Sequence, residues 1–171
     1  MTTLNPNSSI KVWLVDDNAR FRNLVADILS EVSGIQCVRH FSSPTEVLSA
    51  LASKVGPDVI LLDVQMGNEN GVDAVRPIKS LARSTRVLMF TTCFDLELRE
   101  RALSDGASDY LIKGGPLSKL IDCIRRPDDP AKVCSSRRRR PARAAAIPSN
   151  NTEPSVNSLT RGINFFRALW N

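Results

Sequence analysis

Short apolar segments alternate along the chain with longer stretches in which apolar residues recur at three- and four-residue spacing. The short segments are typical of strands covered on both faces of a parallel sheet, and the longer ones of helices with one apolar face. The predicted strands are Lys11–Val15, Ile35–Phe41, Val59–Asp63, Arg86–Phe90 and Tyr110–Ile112. The predicted helices run over Ala19–Val32, from Pro44 to about Ser53, from about Gly71, over Leu96–Ser104 and from Pro116 to about Arg126. Such regular alternation with short connections predicts a doubly wound α/β fold.

Capping and breaking residues support these boundaries. Asn18 is a suitable N-cap for the first helix, and Ser43–Glu46 forms a capping box with proline at the first helical position. Gly106 is expected to end the fourth helix. Residues 64–71 are predicted to form a loop from their composition, and Pro77 is expected to kink or shorten the third helix.

Polar side chains stand where four of the predicted strands end. Asp16 and Asp17 follow the first strand, Asp63 closes the third, Thr91 follows the fourth and Lys113 follows the fifth. Ligands of open parallel sheets bind outside the carboxyl ends of the strands, so these groups are expected to converge. Three converging carboxylates repel one another unless a cation relieves them, and hard oxygen ligands favour Mg²⁺. With a lysine and a hydroxyl nearby, this set is suited to phosphoryl transfer, with an aspartate as the nucleophile that forms an acyl phosphate.

Composition limits the alternatives. The chain of 171 residues has room for one ordinary domain and an extension. Four widely spaced cysteines and a single histidine, His40, indicate neither a disulfide framework nor a zinc site, and the thiols are expected to be reduced and buried. The polar start resembles no signal peptide and no apolar run reaches membrane-spanning length, so we expect a cytoplasmic protein without a membrane partner.

The positive charge is confined to the last part of the chain. Residues 1–126 contain 15 basic and 15 acidic residues, whereas residues 127–171 contain 8 basic and 3 acidic ones. Residues 127–157, with the run Arg137, Arg138, Arg139 and Arg140, are predicted to be a disordered basic linker. Residues 158–171 have the apolar spacing of a short amphipathic helix, and residues 1–9 are expected to be a flexible leader.

The residues at the strand ends, taken together, closely resemble the receiver domain of bacterial response regulators over about residues 10–126. The matching residues are Asp16-Asp17, Asp63, Gly71, Thr91, the segment 105–110 and Tyr110-x-x-Lys113. The resemblance implies a flavodoxin-like, five-stranded parallel sheet of order 2-1-3-4-5 with helices on both faces. It also implies a two-component phosphorelay protein, a signalling domain and not an enzyme beyond its own phosphotransfer and dephosphorylation.

The resemblance implies a role for each residue of the acidic site. Asp63 would accept a phosphoryl group from a histidine kinase or phosphotransfer protein. Asp17 and Asp63 would bind Mg²⁺, with Asp16 helping directly or through water and the Gln65 backbone carbonyl completing the site. Lys113 would pair with the phosphoryl oxygens.

Two further residues would form the switch. Thr91 would move to the phosphoryl group and Tyr110 would turn inward, so that the face formed by the fourth helix, fifth strand and fifth helix changes shape and is recognised by a downstream protein. Gln65 and Cys93 occupy positions that tune the lifetime of the phosphate in this family. Gly67 and Gly114 stand where the family often has proline, and the first of these is expected to loosen its loop.

Two other functions are compatible with the sequence. The arginine run can hold nucleic acid through phosphate contacts, giving a nucleic-acid-associated regulator controlled by the receiver; salt-sensitive DNA binding that is lost without residues 127–171 would identify it. Leu159-Thr160 weakly resembles the start of a LuxR-type DNA-binding domain, although the sequence stops before a recognition helix. The third function is an unphosphorylated scaffold, which would neither bind Mg²⁺ nor accept phosphate.

Overall fold

The computed structural model describes residues 9–53, 55–92 and 94–127. Seven strands occur in these ranges: β1 (Ile10–Val15), β2 (Ile35–Phe41), β3 (Val59–Leu62), β4 (Gln65–Met66), β5 (Glu69–Asn70), β6 (Arg86–Thr91) and β7 (Asp109–Ile112). Five of them form a parallel sheet of order β2-β1-β3-β6-β7. Counting only the strands of this sheet, the order is 2-1-3-4-5, which confirms the predicted topology.

Helices cover both faces of the sheet. They are α1 (Ala19–Ser30), α2 (Pro44–Ser53), α3 (Gly71–Leu81), α4 (Leu96–Asp105) and α5 (Leu117–Arg125). Helices α2, α3 and α4 bury their apolar sides in one core, and α1 and α5 bury theirs in the other. Strand β3 supplies side chains to both cores, because successive residues of a strand point to opposite faces. This double burial explains its uninterrupted apolar sequence.

The segment after β3 differs from the prediction. Residues 64–71 were expected to form a loop, but Gln65–Met66 pairs with Glu69–Asn70 in a two-stranded antiparallel hairpin. Met66 is buried in the core between the sheet and α3, and Asn70 caps α3 by accepting a hydrogen bond from the Val72 amide. The hairpin therefore has an apolar anchor and leads directly into the next helix.

The predicted end of the first helix was also wrong. Helix α1 ends at Ser30 and not at Val32, although Val32 still packs against the core, so the apolar spacing continues beyond the helix. Helix α3 continues four residues past Pro77 to Leu81, and the predicted kink at Pro77 stays a prediction. Gly106 ends α4 as predicted, in a left-handed conformation with φ of 111°.

Arg86 fixes the end of α5 to the sheet. The side chain of this first residue of β6 is buried, and its guanidinium donates to the carbonyl oxygen of Cys123 at 2.9 Å and to that of Ile124. Carbonyls in the last turn of a helix lack partners within the helix, and a cation is favourable there. The buried charge is thus satisfied by backbone acceptors, and the last described turn is held at the edge of the sheet where β6 begins.

Several predictions concern other parts of the chain. All but the last residue of the leader 1–9, Cys93, all but the first residue of the linker 127–157, and the amphipathic segment 158–171 lie outside the described residues. Of the described cysteines, Cys123 is buried and Cys37 is half-buried; burial raises the pKa of the Cys37 thiol to about 11. Within the described ranges, no helix has both the length and the apolar composition to cross a lipid bilayer.

Candidate functional site

The sheet brings the three predicted carboxylates together. Strands β1 and β3 are parallel neighbours in register from Val12 with Val59 to Val15 with Leu62, so both end at the same edge. The Asp63 amide donates to the carbonyl oxygen of Val15 at 2.9 Å and continues this pairing. One carboxylate oxygen from each of Asp16, Asp17 and Asp63 lies within 4.8 Å of the other two.

Lys113 supplies the positive charge of the cluster. Its Nζ lies 2.5 Å from Asp16 Oδ2 and 2.6 Å from Asp63 Oδ2, and all three side chains are at least 92% buried, with 5%, 1% and 8% exposed. The ammonium also lies 4.5 Å from the centroid of the Phe21 ring, a cation–π contact. The lysine is therefore held in the cluster by two carboxylates and an aromatic face.

Three backbone amides complete the acidic cluster, one for each carboxylate. Asn18 donates to Asp16 Oδ1 at 2.8 Å, Val64 donates to Asp63 Oδ1 at 2.7 Å, and Gly67 donates to Asp17 Oδ2 at 2.9 Å. Hydrogen bonds to a charged acceptor are stronger than neutral ones, so these amides offset part of the repulsion between the acids.

Folding shifts the pKa of Asp63. Its burial raises the pKa of the carboxyl above the usual value, the hydrogen bond and charge of Lys113 oppose this rise, and the neighbouring Asp16 charge adds to it. Folding therefore favours the protonated form of Asp63 relative to the unfolded chain. A carboxylate must be ionised to act as a nucleophile, and the ionised form of Asp63 lowers the free energy of unfolding.

Asp63→Asn is expected to raise the free energy of unfolding at pH 7 without divalent metal, because one of three clustered carboxylates loses its charge. The pKa of Asp63 is raised by folding, so the wild type regains this stability as the pH falls from the folded pKa to the unfolded one. The difference in unfolding free energy between the two proteins should then disappear. Denaturant unfolding at pH 7 and at pH 4 measures this difference. The control is Asp27→Asn, which changes an exposed carboxyl on α1. A gap that does not change with pH would contradict this expectation.

The donor set suits a hard divalent cation. Carboxylate oxygens are the ligands that Mg²⁺ prefers, and Asp17 is exposed where Asp16 and Asp63 are buried, so the cluster opens toward solvent on the Asp17 side. Gln65 is the first residue of β4 and its side chain is exposed. The contribution of its carbonyl to a metal site stays a prediction.

The two predicted switch residues lie on neighbouring strands. Thr91 is the last residue of β6 and is 2% exposed. The carbonyl oxygen of Thr91 accepts a hydrogen bond from the Lys113 amide. Tyr110 on β7 is buried in the core on the α4 side, with its ring edge-on to that of Phe94 at a centroid distance of 6.4 Å. The structure thus has Tyr110 in the inward orientation.

Sequence reasoning missed two contributors to the site. Phe21 falls within the apolar spacing of α1, which indicates only a core position, and its contact with the Lys113 ammonium depends on how α1 packs on the sheet. Gly67 was expected to loosen its loop, yet it forms the turn of a hairpin and binds Asp17. The available signal was glycine at a position where the family resemblance leads one to expect proline, since only glycine of the two has an amide proton.

Comparison with known proteins identifies the family. A family model described as "Response regulator receiver domain" matches residues 12–125. The chain belongs to the response regulator receiver family. Receivers are signalling domains of two-component systems, and the match covers all the strands of the main sheet except the first two residues of β1.

Relatives of known sequence and structure agree with this assignment. The response regulator GacA of Pseudomonas syringae pv. syringae is 33% identical over 116 residues, which are 68% of this chain and 54% of that protein. VraR of Staphylococcus aureus is 33% identical over 118 residues, 69% and 56% of the two chains. The response regulator domain of CheB from Thermotoga maritima is 30% identical with a TM-score of 0.60, covering 68% of this receiver and 94% of that chain. The chain spans about half the length of the curated relatives it matches.

Proposed function

We propose that this receiver is a phosphorylation switch in which Asp63 accepts a phosphoryl group from a histidine kinase or phosphotransfer protein. The observation that carries the proposal is the position of the Lys113 ammonium, 2.6 Å from Asp63 Oδ2, in a buried cluster with Asp16 and next to the exposed Asp17. A cation beside a carboxylate nucleophile can neutralise the charge of an incoming phosphoryl group.

The transfer reaction needs a nucleophile and compensating charge. A carboxylate oxygen of Asp63 attacks the phosphorus and an O–P bond forms while the bond from phosphorus to the donor nitrogen breaks. The electron pair of the broken bond stays on that nitrogen, and the donor histidine, protonated on its other ring nitrogen, leaves as a neutral imidazole. Lys113 exchanges its contact with Asp63 for one with the phosphoryl oxygens while its bond to Asp16 holds it in place. A bound Mg²⁺, held by Asp16, Asp17, Asp63 and the Gln65 carbonyl, would neutralise the charge that develops on the phosphoryl oxygens.

The change at Asp63 has a route to the surface. Thr91 ends the strand next to β3, and Lys113 follows β7, so a new phosphoryl group is positioned to contact both. Tyr110 lies on β7, against Phe94 at the start of the α4 region. A shift of Thr91 toward the phosphoryl group would alter the packing of Tyr110 and hence of α4.

The surface near Tyr110 suits a protein partner. Phe94, Leu96 and Ile112 are large apolar side chains that are 61%, 56% and 36% exposed. A cavity of about 300 Å³ is lined by Phe94, by Ile112 and other residues of β7, and by the start of α5. Exposed apolar groups around a concavity are typical of interaction sites, so we assign recognition by a downstream protein to this face of α4, β7 and α5.

The proposed organisation has one switch and a tail. Residues 10–126 form the receiver, residues 127–157 the basic linker and residues 158–171 the amphipathic segment, in a protein that acts in the cytoplasm. The domain is a phosphoacceptor and not an enzyme for separate substrates. Nucleic-acid contact through Arg137–Arg140 is the second candidate, favoured by the excess of positive charge in residues 127–171.

Intact-mass analysis after incubation with Mg²⁺ and a small acyl phosphate tests the proposal. The wild type is expected to gain the mass of one phosphoryl group, and Asp63→Asn to gain none, because an amide cannot act as the nucleophile. Since Asp63→Asn keeps the size of the side chain, circular dichroism can confirm that both proteins are folded. A folded wild type that gains no mass would exclude the phosphoacceptor role and favour an unphosphorylated scaffold.

A further inference from the structure

The hairpin formed by β4 and β5 contacts the acidic cluster through its turn. Its strands pair Gln65 with Asn70 and Met66 with Glu69, leaving Gly67 and Asn68 as a two-residue turn. At this turn the Gly67 amide donates to Asp17 Oδ2 at 2.9 Å. The hairpin thus connects the strand that ends in Asp63 to the carboxylate contributed by the chain after β1.

Both ends of the hairpin are fixed, so its tip has a defined position. At its base the Gly71 amide donates to the carbonyl oxygen of Val64 at 2.7 Å, and the Met66 side chain is 3% exposed in the core. On the second strand, Glu69 accepts a hydrogen bond from the Thr45 hydroxyl at 3.0 Å, which attaches the hairpin to the start of α2. The contact with Asp17 is therefore made by an anchored turn.

The conformation of the turn requires glycine at position 67. Gly67 has a φ of +58°, the left-handed value needed at the first position of the tight turns that join hairpin strands. No heavy atom lies within 4 Å of the position that a Cβ would occupy, so backbone conformation and not space selects glycine here. Proline, with φ fixed near −65° and no amide proton, could provide neither the turn nor the hydrogen bond.

We propose that the Gly67 amide is a positioning group for Asp17, which fixes the orientation of this carboxylate for a divalent cation and couples the hairpin to metal binding. A carboxylate has two oxygens, so a bond at Oδ2 leaves Oδ1 to serve as a ligand. This inference rests on the proposed function, because it assigns Asp17 to a Mg²⁺ site.

Exposure of Asp17 explains why such a group matters. Asp16 and Asp63 are buried and share the Lys113 ammonium, but Asp17 is exposed and is repelled by both of them. An exposed side chain under repulsion would turn toward water unless a donor held it. The amide holds Asp17 in the cluster, and partners of this kind change metal affinity about 10- to 100-fold when they are removed.

The most direct test removes the hydrogen-bond donor at Gly67 and keeps the rest of the residue. In the full chain, replacement of Gly67 by glycolic acid through suppressor-tRNA translation turns the amide into an ester, which keeps the backbone conformation accessible but has no donor. We expect Mg²⁺ to bind about tenfold more weakly to this variant than to the wild type in calorimetric titration. The same replacement at Gly34, another glycine of positive φ with no heavy atom within 4 Å of its Cβ position, should leave Mg²⁺ affinity unchanged.

The outcomes separate this inference from the function on which it rests. Unchanged or tighter Mg²⁺ binding by the Gly67 ester, with normal binding by the wild type, would overturn the role of Gly67 alone. Absence of Mg²⁺ binding by the wild type would overturn both the metal site and this role.

Hydrogen exchange of the metal-free wild type provides a second, independent measurement. The Gly67 amide should exchange several-fold more slowly than an unstructured glycine amide, and Asp17→Ala should remove this protection. Exchange at the unstructured rate in the wild type would refute the hydrogen bond on which the inference depends, whether or not the ester variant folds.

Discussion

Lys113→Met should lower the free energy of unfolding of the metal-free protein by about 3 kcal/mol or more. The Lys113 side chain is 95% buried, and its ammonium lies 2.5 and 2.6 Å from two buried carboxylates. Methionine fills a similar volume but leaves Asp16 and Asp63 facing each other without a cation. Removal of one partner of a buried ion pair is costly because the other charge stays desolvated.

Urea unfolding of wild type and variant with and without Mg²⁺ measures this effect. Added Mg²⁺ should recover part of the loss, because a cation bound by the acids replaces some of the missing charge. Lys119→Met on the exposed side of α5 is the matched control and should change stability by less than about 0.5 kcal/mol. Equal losses in the two variants would show that Lys113 does not neutralise the cluster.

Gly71→Ala should cost about 3 kcal/mol and also impair phosphorylation, because the added methyl group has no space. An ideal Cβ on Gly71 would lie 1.9 Å from the carbonyl oxygen of Asp63 and 3.0 Å from its carbonyl carbon. These are backbone atoms between two buried elements, so they cannot move aside as the end of a flexible side chain could. Either α3 or the backbone of the phosphoacceptor must shift, and overpacking of this kind is strongly destabilising.

A second glycine separates this clash from backbone strain. Gly34 has a φ of +78° and no heavy atom within 4 Å of its Cβ position, so Gly34→Ala should cost only the left-handed penalty of about 1 to 2 kcal/mol. Its phosphorylation, measured by intact mass, should equal that of the wild type. If Gly71→Ala were no more harmful than Gly34→Ala, the close approach of α3 to Asp63 would be unimportant for folding and for the site.

The sequence predicted the sheet because its signals are local and repeated. Strand β3 has four apolar residues ended by a carboxylate, and the same design precedes Asp16 and Thr91, so parallel pairing alone brings these residues to one edge. Helix starts at Asn18 and Pro44 were also predictable, since an N-cap side chain and a capping box act within one turn. These parts of the fold depend little on distant residues.

The hairpin and the environment of Lys113 depend on distant contacts, which explains why sequence reasoning did not find them. Two-residue strands have no measurable periodicity, and β4 and β5 are stabilised by burial of Met66 and by the bond of Gly67 to Asp17, 50 residues away. Similarly, the end of α1 could not be placed from apolar spacing because Val32 packs on the core from outside the helix. Propensity is a weak guide where tertiary contacts decide.

The attachment of α5 by Arg86 determines where the chain leaves the receiver. Parallel strands carry Asp63 at one rim of the sheet, whereas Arg86 begins β6 at the opposite rim and holds the carbonyls of Cys123 and Ile124 there. Four to six residues of strand separate the rims by about 13 to 20 Å. The last described turn of α5 is thus attached to the sheet at the rim opposite the carboxylates. We therefore expect phosphorylation to change the α4 and β7 surface and to leave the hydrogen bonds of Arg86 to Cys123 and Ile124 intact.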